Sequence, residues 1–315
     1  MELILPLFPA LAGGFFPLLL LFLVIYWRAA RETISAAEFR AYSGYQTAQL
    51  SAGVTCYMDF GSKDSEPIII VHGGTLGSMA YQGYVPKLVD NGWRVIIYDQ
   101  YGRGFSDRLN FRLGINALQE QLLELLDFLK IDRAHLFGIS LGGGIIARFA
   151  AEHGDRVRSL AYQVPVIEGV TLTPAIIAAR MPLIGAMLTR LIGVPAIVSR
   201  GESFGTQSQE ARRVLAHFTD QFNVKGTERA IRDLMIGDAL SDRMEDHRKI
   251  GQTGQKAQFV YAVDDPEIAA EQVEAALAHY RSPDVHTYTG GHFFASAYME
   301  ELAVKLSKFF RSVEV

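Results

Sequence analysis

"GISLG", residues 138–142, follows the apolar run Ala134–Phe137 and leads into the small-residue, helix-compatible run "GGIIARFAAEH". A hydroxyl flanked by glycines at a strand-to-helix junction decides the reading of both fold and chemistry. In the GxSxG arrangement the serine occupies a sharp, strained turn, and the small neighbours Gly138 and Gly142 relieve the crowding around it. Ser140 then projects into a site, and the amide of Leu141, at the helix start, is available to an oxyanion. Three fixed positions in five are a weak signal alone. A strand before them and a helix after make the signal a good one.

Working outward, short apolar runs alternate with helical patterns from about Tyr45 onward. "YQTAQL" and "VTCYMDF" flank "SAG" as a hairpin, and "PIIIV", "WRVIIYD", "AHLFG", "SLAYQV", "AQFVYAV" and "VHTYT" read as six further strands. Ile115, Leu118, Leu122, Leu125, Leu126 and Leu129 recur at steps of three and four, the spacing of one buried helix face. Strands separated by helices need crossover connections, so the fold class is α/β, a mostly parallel sheet covered on both faces.

In such sheets ligands gather at the carboxyl ends of the strands. After "PIIIV" comes "HGGT", where glycines let the backbone approach a bound group and an amide can face developing negative charge. His72 there reads as structural. "DQYGRGFSD", residues 99–107, reads as a tightly folded scaffold loop with no nucleophile–base pair. A serine hydroxyl needs a base, and the base needs an orienting partner. The last strand runs into Gly290, Gly291 and His292, and "AQFVYAV" ends in Asp264, Asp265 and Pro266. Of the eight histidines, His292 is the one that follows the last strand through a flexible glycine pair, the context expected of the base.

Composition narrows the function class. A formal charge of −4 with no long basic block lacks the electrostatic footprint of a nucleic-acid binder. The single cysteine, Cys56, rules out an intrachain disulfide and a cysteine-rich metal site, and it reads as a small buried side chain. Between Glu2 and Arg28 no charge occurs, a stretch long enough to cross a hydrocarbon core of ~30 Å. Residues 1–30 are therefore expected to form a membrane anchor, either a kinked span or a partly inserted segment; a buried helix is the alternative. Pro6, Pro9, Gly13, Gly14 and Pro17 interrupt its first half, leaving Leu18–Trp27 as the unbroken helical run. Arg28, Arg31 and Arg40 then put the remainder on the cytoplasmic side by the positive-inside rule.

Taken together, "HGG" at 72, "DQYGRGFSD" at 99, "GISLG" at 138, "AVDDPE" at 262 and "GGHFF" at 290 resemble the α/β-hydrolase superfamily over roughly residues 45–312. The resemblance implies an eight-stranded sheet, with Ser140 as nucleophile, His292 as general base and acid, and Asp265 as orienting acid. It also implies backbone amides of Gly74 and Leu141 as oxyanion donors, and no metal or organic cofactor. Ala262 stands where the family usually has Gly, and Asp264 adjoins Asp265. Asp265 is preferred because the family's acid usually falls three residues after that glycine position and often just before a proline.

The chain divides into the anchor at 1–30, a core at 31–165 and 251–315, and a helical cap at 166–250, where the family inserts a lid. From Gly169 to Gly201 there is no Asp or Glu and only Arg180, Arg190 and Arg200 are charged, so cap helices suit a greasy pocket, a membrane surface, or both. The expected function is a membrane-anchored serine hydrolase that cleaves a lipophilic carboxylic ester. With its anchor, the plan looks like the monoacylglycerol-lipase-like members. The same triad could instead serve C–C bond hydrolysis or perhydrolysis, and a non-catalytic binding protein on this fold is the third reading.

Overall fold

The computed structural model describes residues 7–182, 184–201 and 208–313. Its centre is one eight-stranded sheet made of β1 (Gln46–Gln49), β2 (Val54–Phe60), β3 (Pro67–Val71), β4 (Arg94–Tyr98), β5 (Ala134–Ile139), β6 (Val157–Gln163), β7 (Ala257–Ala262) and β8 (Asp284–Tyr288). The order across the sheet is β1-β2-β4-β3-β5-β6-β7-β8. β1 and β2 form an antiparallel hairpin and β2 meets β4 antiparallel; every later pairing is parallel. Since β3 pairs with both β4 and β5, the ends of β3, β5, β7 and β8 that carry the chemical motifs share one edge of the sheet.

The central strands are apolar on both faces because helices cover both. Ile68–Val71, Val95–Tyr98 and Leu136–Phe137 are almost wholly buried. On helix Ile115–Phe128 the residues Ile115, Leu118, Leu122, Leu125 and Leu126 are fully buried, and Leu129 caps its end. Cys56 is buried, and its thiol donates to the Phe105 carbonyl at 3.3 Å. Burial pushes its pKa up to about 12.

Between β6 and β7 lies the helical insertion, with helices Pro174–Arg180, Gly185–Leu188, Val194–Gly201, Gln209–Asp220 and Thr227–Ile236. The next helix, Met244–Thr253, packs on Leu141–Glu152 beside the sheet, where Arg148 donates to Asp246 at 3.0 Å. Residue 250, the expected end of the cap, lies within this helix. Just before the helix, the Arg243 amide donates to the Ile167 carbonyl.

At the N-terminus, residues 1–6 of the expected anchor lie outside the described residues. Leu7–Ala29 form one helix that continues through Pro17. The expected interruption of its first half does not occur, because a proline removes a single amide donor and a helix can accommodate that loss. Among the described residues, no helix is long and apolar enough to cross a membrane. The helix end rests on the cap, with the Arg190 guanidinium 4.4 Å over the Tyr26 ring. The chain then pairs with the cap through an Ile34–Val224 bridge, and Glu32 accepts the Glu228 amide at 2.7 Å.

Candidate active site

Ser140 sits between β5 and helix Leu141–Glu152 with φ 52° and ψ −116°. A non-glycine residue there stores on the order of 1–3 kcal/mol of strain, which the surroundings must hold in place. The Ser140 amide donates to the Gln163 carbonyl at 2.9 Å, and its own carbonyl accepts the amides of Gly143 and Val166. The two motif glycines are required by close approach. A Cβ on Gly142 would lie 1.9 Å from the Val71 carbonyl oxygen, and one on Gly138 would lie 2.5 Å from the Gly142 oxygen.

His292 follows β8 after Gly290 and Gly291, both at positive φ. Its Nε2 is 3.0 Å from Ser140 Oγ, and its Nδ1 is 2.7 Å from Asp265 Oδ2. Asp265 is buried at the end of β7, and its Oδ1 accepts the amides of Glu267 and Ile268 at 2.8 and 3.1 Å. Asp264 faces away. It accepts the amides of Gly290 and Gly291, and those two bonds hold its carboxyl below the usual carboxylate range. One aspartate therefore reaches the imidazole while its neighbour shapes the turn that carries the imidazole.

Gly74 and Leu141 are neighbours beside Ser140: a Cβ on Gly74 would be 3.7 Å from Leu141 Cδ2. As the first residue of its helix, Leu141 has an amide with no intrahelical acceptor. His72, two residues before Gly74, is fully buried. Its Nδ1–H donates to the Gly73 carbonyl and its Nε2 accepts the Gln100 amide, while burial lowers its pKa to about 4. It is a neutral strut for the loop.

Residues 99–107 form the expected tight loop. Asp99 accepts the amides of Ser78 and Phe105, and the Ser106 hydroxyl donates to the Asp99 carbonyl. Sequence reading missed the supports behind the serine. Tyr84 donates to the Gln163 side chain from 79 positions away, and Gln221 donates to the Thr75 carbonyl next to Gly74. Neither has a sequence signature, because each is a polar residue in an otherwise ordinary segment.

Ser140 and His292 open onto a cavity of about 840 Å³ beneath the cap. Its walls are largely apolar, among them Met79, Ile176, Ile192, Ile231, Leu234 and Met235. Glu210, Glu267 and Glu300 are among its lining residues, Glu210 and Glu300 being exposed, and no Lys or Arg lines it among the described residues.

The family model described as "alpha/beta hydrolase fold" matches residues 66–189. Among curated proteins, the dihydrolipoyllysine-residue acetyltransferase component of the acetoin cleaving system of Pseudomonas putida is 28% identical over 205 residues, 63% of this chain and 51% of that protein. A non-heme chloroperoxidase of Kitasatospora aureofaciens is 33% identical over 104 residues, 33% of this chain and 37% of that protein. The matched stretches span about half or less of these relatives' own lengths. Among solved structures, the enol-lactonase of Burkholderia xenovorans superposes with a TM-score of 0.70 at 20% identity, over 84% of this chain and 100% of that one. The meta-cleavage product hydrolase of Pseudomonas fluorescens gives 0.64 at 21% identity, over 85% and 97%.

Proposed function

From its membership of the α/β-hydrolase superfamily, we propose that this chain is a serine hydrolase cleaving a neutral, lipophilic carboxylic ester of the monoacylglycerol type. The observation that carries the proposal is a serine–imidazole–carboxylate chain of 3.0 and 2.7 Å opening into an apolar cavity that no cation lines among its described residues. Ser140 Oγ attacks the ester carbonyl and passes its proton to His292 Nε2. The oxyanion faces the amides of Gly74 and Leu141. His292 then protonates the leaving alcohol, and a water that it deprotonates releases the acid from the acyl-enzyme. Asp265 holds the Nδ1 proton and so leaves Nε2 free to accept.

The same relay suits C–C hydrolysis or perhydrolysis, and the similarity to a meta-cleavage product hydrolase and a non-heme chloroperoxidase favours that second reading. A dienoate substrate, however, would carry its carboxylate into a cavity that no Lys or Arg lines among the described residues. That missing counter-charge is why the ester is preferred.

The N-terminal helix supports contact with a lipid surface. Leu18, Leu20, Leu21, Leu23 and Ile25 are each about half exposed or more, and Trp27 is 76% exposed. An apolar helix bare on several sides is unstable against water. The cap segment Thr189–Gly193 that this helix contacts carries Ile192, itself half exposed. A lipophilic ester would then enter from the same surface.

Fluorophosphonate labelling of wild type and Ser140→Ala, followed by an ester panel of increasing chain length, tests the chemistry. Ser140-dependent labelling with preference for long-chain neutral glycerides is expected. Labelling with turnover confined to dienoates or short acids would overturn the substrate, and no labelling would overturn the hydrolase reading. Flotation with liposomes, comparing the full chain with one lacking residues 1–30, tests the lipid contact; equal flotation of both would sink it.

A further inference from the structure

The oxyanion loop is held by two side chains that the proposed reaction does not otherwise use. Arg103 is fully buried; its Nε–H donates to the Gly74 carbonyl at 2.6 Å and its Nη1–H to the Tyr101 carbonyl at 3.2 Å. One residue on, the Thr75 carbonyl accepts Gln221 Nε2–H at 3.1 Å. Successive carbonyls of the same loop are thus gripped by the core on one side and by the cap on the other.

Gln221 is placed for this task and fixed at every polar atom. It lies wholly buried in the turn Gln221–Asn223, between cap helices Gln209–Asp220 and Thr227–Ile236. Its Oε1 accepts the Gly104 amide at 3.2 Å, so the side-chain amide cannot rotate without losing both bonds. Its carbonyl accepts the Thr227 hydroxyl at 2.9 Å, and Thr227 in turn accepts Arg108 Nε–H at 3.0 Å. A single carboxamide therefore ties three segments together: the oxyanion loop, the Gly102–Gly104 turn that carries Arg103, and the cap. Burying an uncharged amide with donor and acceptor both satisfied fixes geometry without adding charge beside the site.

We propose that Gln221 is a positioning residue for the oxyanion site, making the aim of the Gly74 amide depend on a seated cap. The inference rests on the ester-hydrolase reading, because it needs an oxyanion at Gly74. Arg103 sets the loop from below and Gln221 locks it from above. When the cap lifts, the Thr75 carbonyl loses its donor, and the loop relaxes until the cap returns. Substrate binding under the cap and assembly of the oxyanion donors then become one event, which excludes water-exposed turnover with the cap open.

Gln221→Leu removes both side-chain bonds at nearly constant volume, and Gln221→Asn keeps the carboxamide but draws it back by about one bond length. The readouts are kcat, KM, inhibition by an alkyl trifluoromethyl ketone that mimics the tetrahedral adduct, inhibition by the matching unreactive alkyl ether, and melting temperature. Donors misplaced by about an ångström cost on the order of 10²-fold. Gln221→Leu is expected to lower kcat and ketone affinity by roughly 10–100-fold in parallel, with KM and ether affinity within about threefold. Gln221→Asn should fall between it and wild type. A packing role alone would lower the melting temperature and leave the ketone-to-ether ratio unchanged. A ratio within twofold of wild type in both variants overturns the proposal, whichever of them is the more stable. Fluorophosphonate labelling of wild-type Ser140 keeps the two ideas separable, since its absence would refute the hydrolase reading instead.

Discussion

Asparagine at position 265 probes the relay through its hydrogens. Asp265 Oδ1 is held by the amides of Glu267 and Ile268, while Oδ2 meets His292 Nδ1 at 2.7 Å. In Asp265→Asn only the remaining oxygen can accept those two amides, so the NH2 group turns to the imidazole. Nδ1 must then accept, and its proton moves to Nε2. There the N–H meets the Ser140 hydroxyl 3.0 Å away with no lone pair to receive its proton. A base in the wrong tautomer costs about 10⁴ in kcat, or ~5 kcal/mol of barrier. KM should stay within about threefold, and the melting temperature within about 5 °C because both backbone bonds survive. Asp264→Asn retains an oxygen for Gly290 and Gly291, and less than about tenfold of kcat should be lost. Ester turnover and the rate of fluorophosphonate labelling read both variants. A greater loss from Asp264→Asn than from Asp265→Asn would refute this assignment of the two carboxylates.

Gly142→Ala would drive a Cβ to 1.9 Å from the Val71 carbonyl oxygen, so a loss of ~3 kcal/mol or more in a denaturant melt is expected; an unchanged midpoint would contradict the described turn. Leu234→Trp, beside Gly74, should cut kcat/KM for long-chain esters by roughly 10–100-fold relative to butyrates, and an unaltered chain-length profile would remove Leu234 from the acyl path. Acid should destabilise the fold through its buried histidines. Burial lowers His72 to about 4, and lowers His135 and His247 to about 3, while the unfolded chain titrates near 6.5. The unfolded state then binds more protons below that value, so their stabilisation is complete above about pH 6.5 and is lost as pH falls toward 3–4. His72 alone accounts for on the order of 3 kcal/mol. A urea midpoint that does not fall between pH 7.5 and 5 would count against neutral buried histidines.

Strand positions were legible because the apolar runs are short and most are bounded by turn-forming residues such as Gly61, Asp99, Pro165, Asp264 and Gly290. The gathering of Ser140, Asp265 and His292 was legible because a parallel sheet brings such strand endings together, after β5, β7 and β8. The family pattern pointed to Asp265, and what it could not give is the direction of two adjacent like side chains: Asp265 meets His292 while Asp264 meets the Gly290 and Gly291 amides. Gln221 and the Tyr84–Gln163 contact were illegible for another reason. They join segments 146 and 79 positions apart, and a polar residue in a helix or turn carries no mark of a distant carbonyl. Pro17 misled in the opposite direction, as a breaker that the helix tolerates.

The Ile34–Val224 bridge bears on where the folded unit begins. The superfamily resemblance starts near Tyr45, yet Thr33 and Ile34 donate to Asn223, the Lys225 amide returns a bond to Ile34, and Arg40 pairs with Asp107. A shortened chain begun at the first strand would take these partners from the cap and the scaffold loop and leave the Glu228 amide uncapped. Begun at residue 31, just past the apolar helix, it keeps all of them. The fifteen residues 31–45 are a strap that ties the helical insertion to the scaffold loop, and a truncation drawn to family boundaries would cut it.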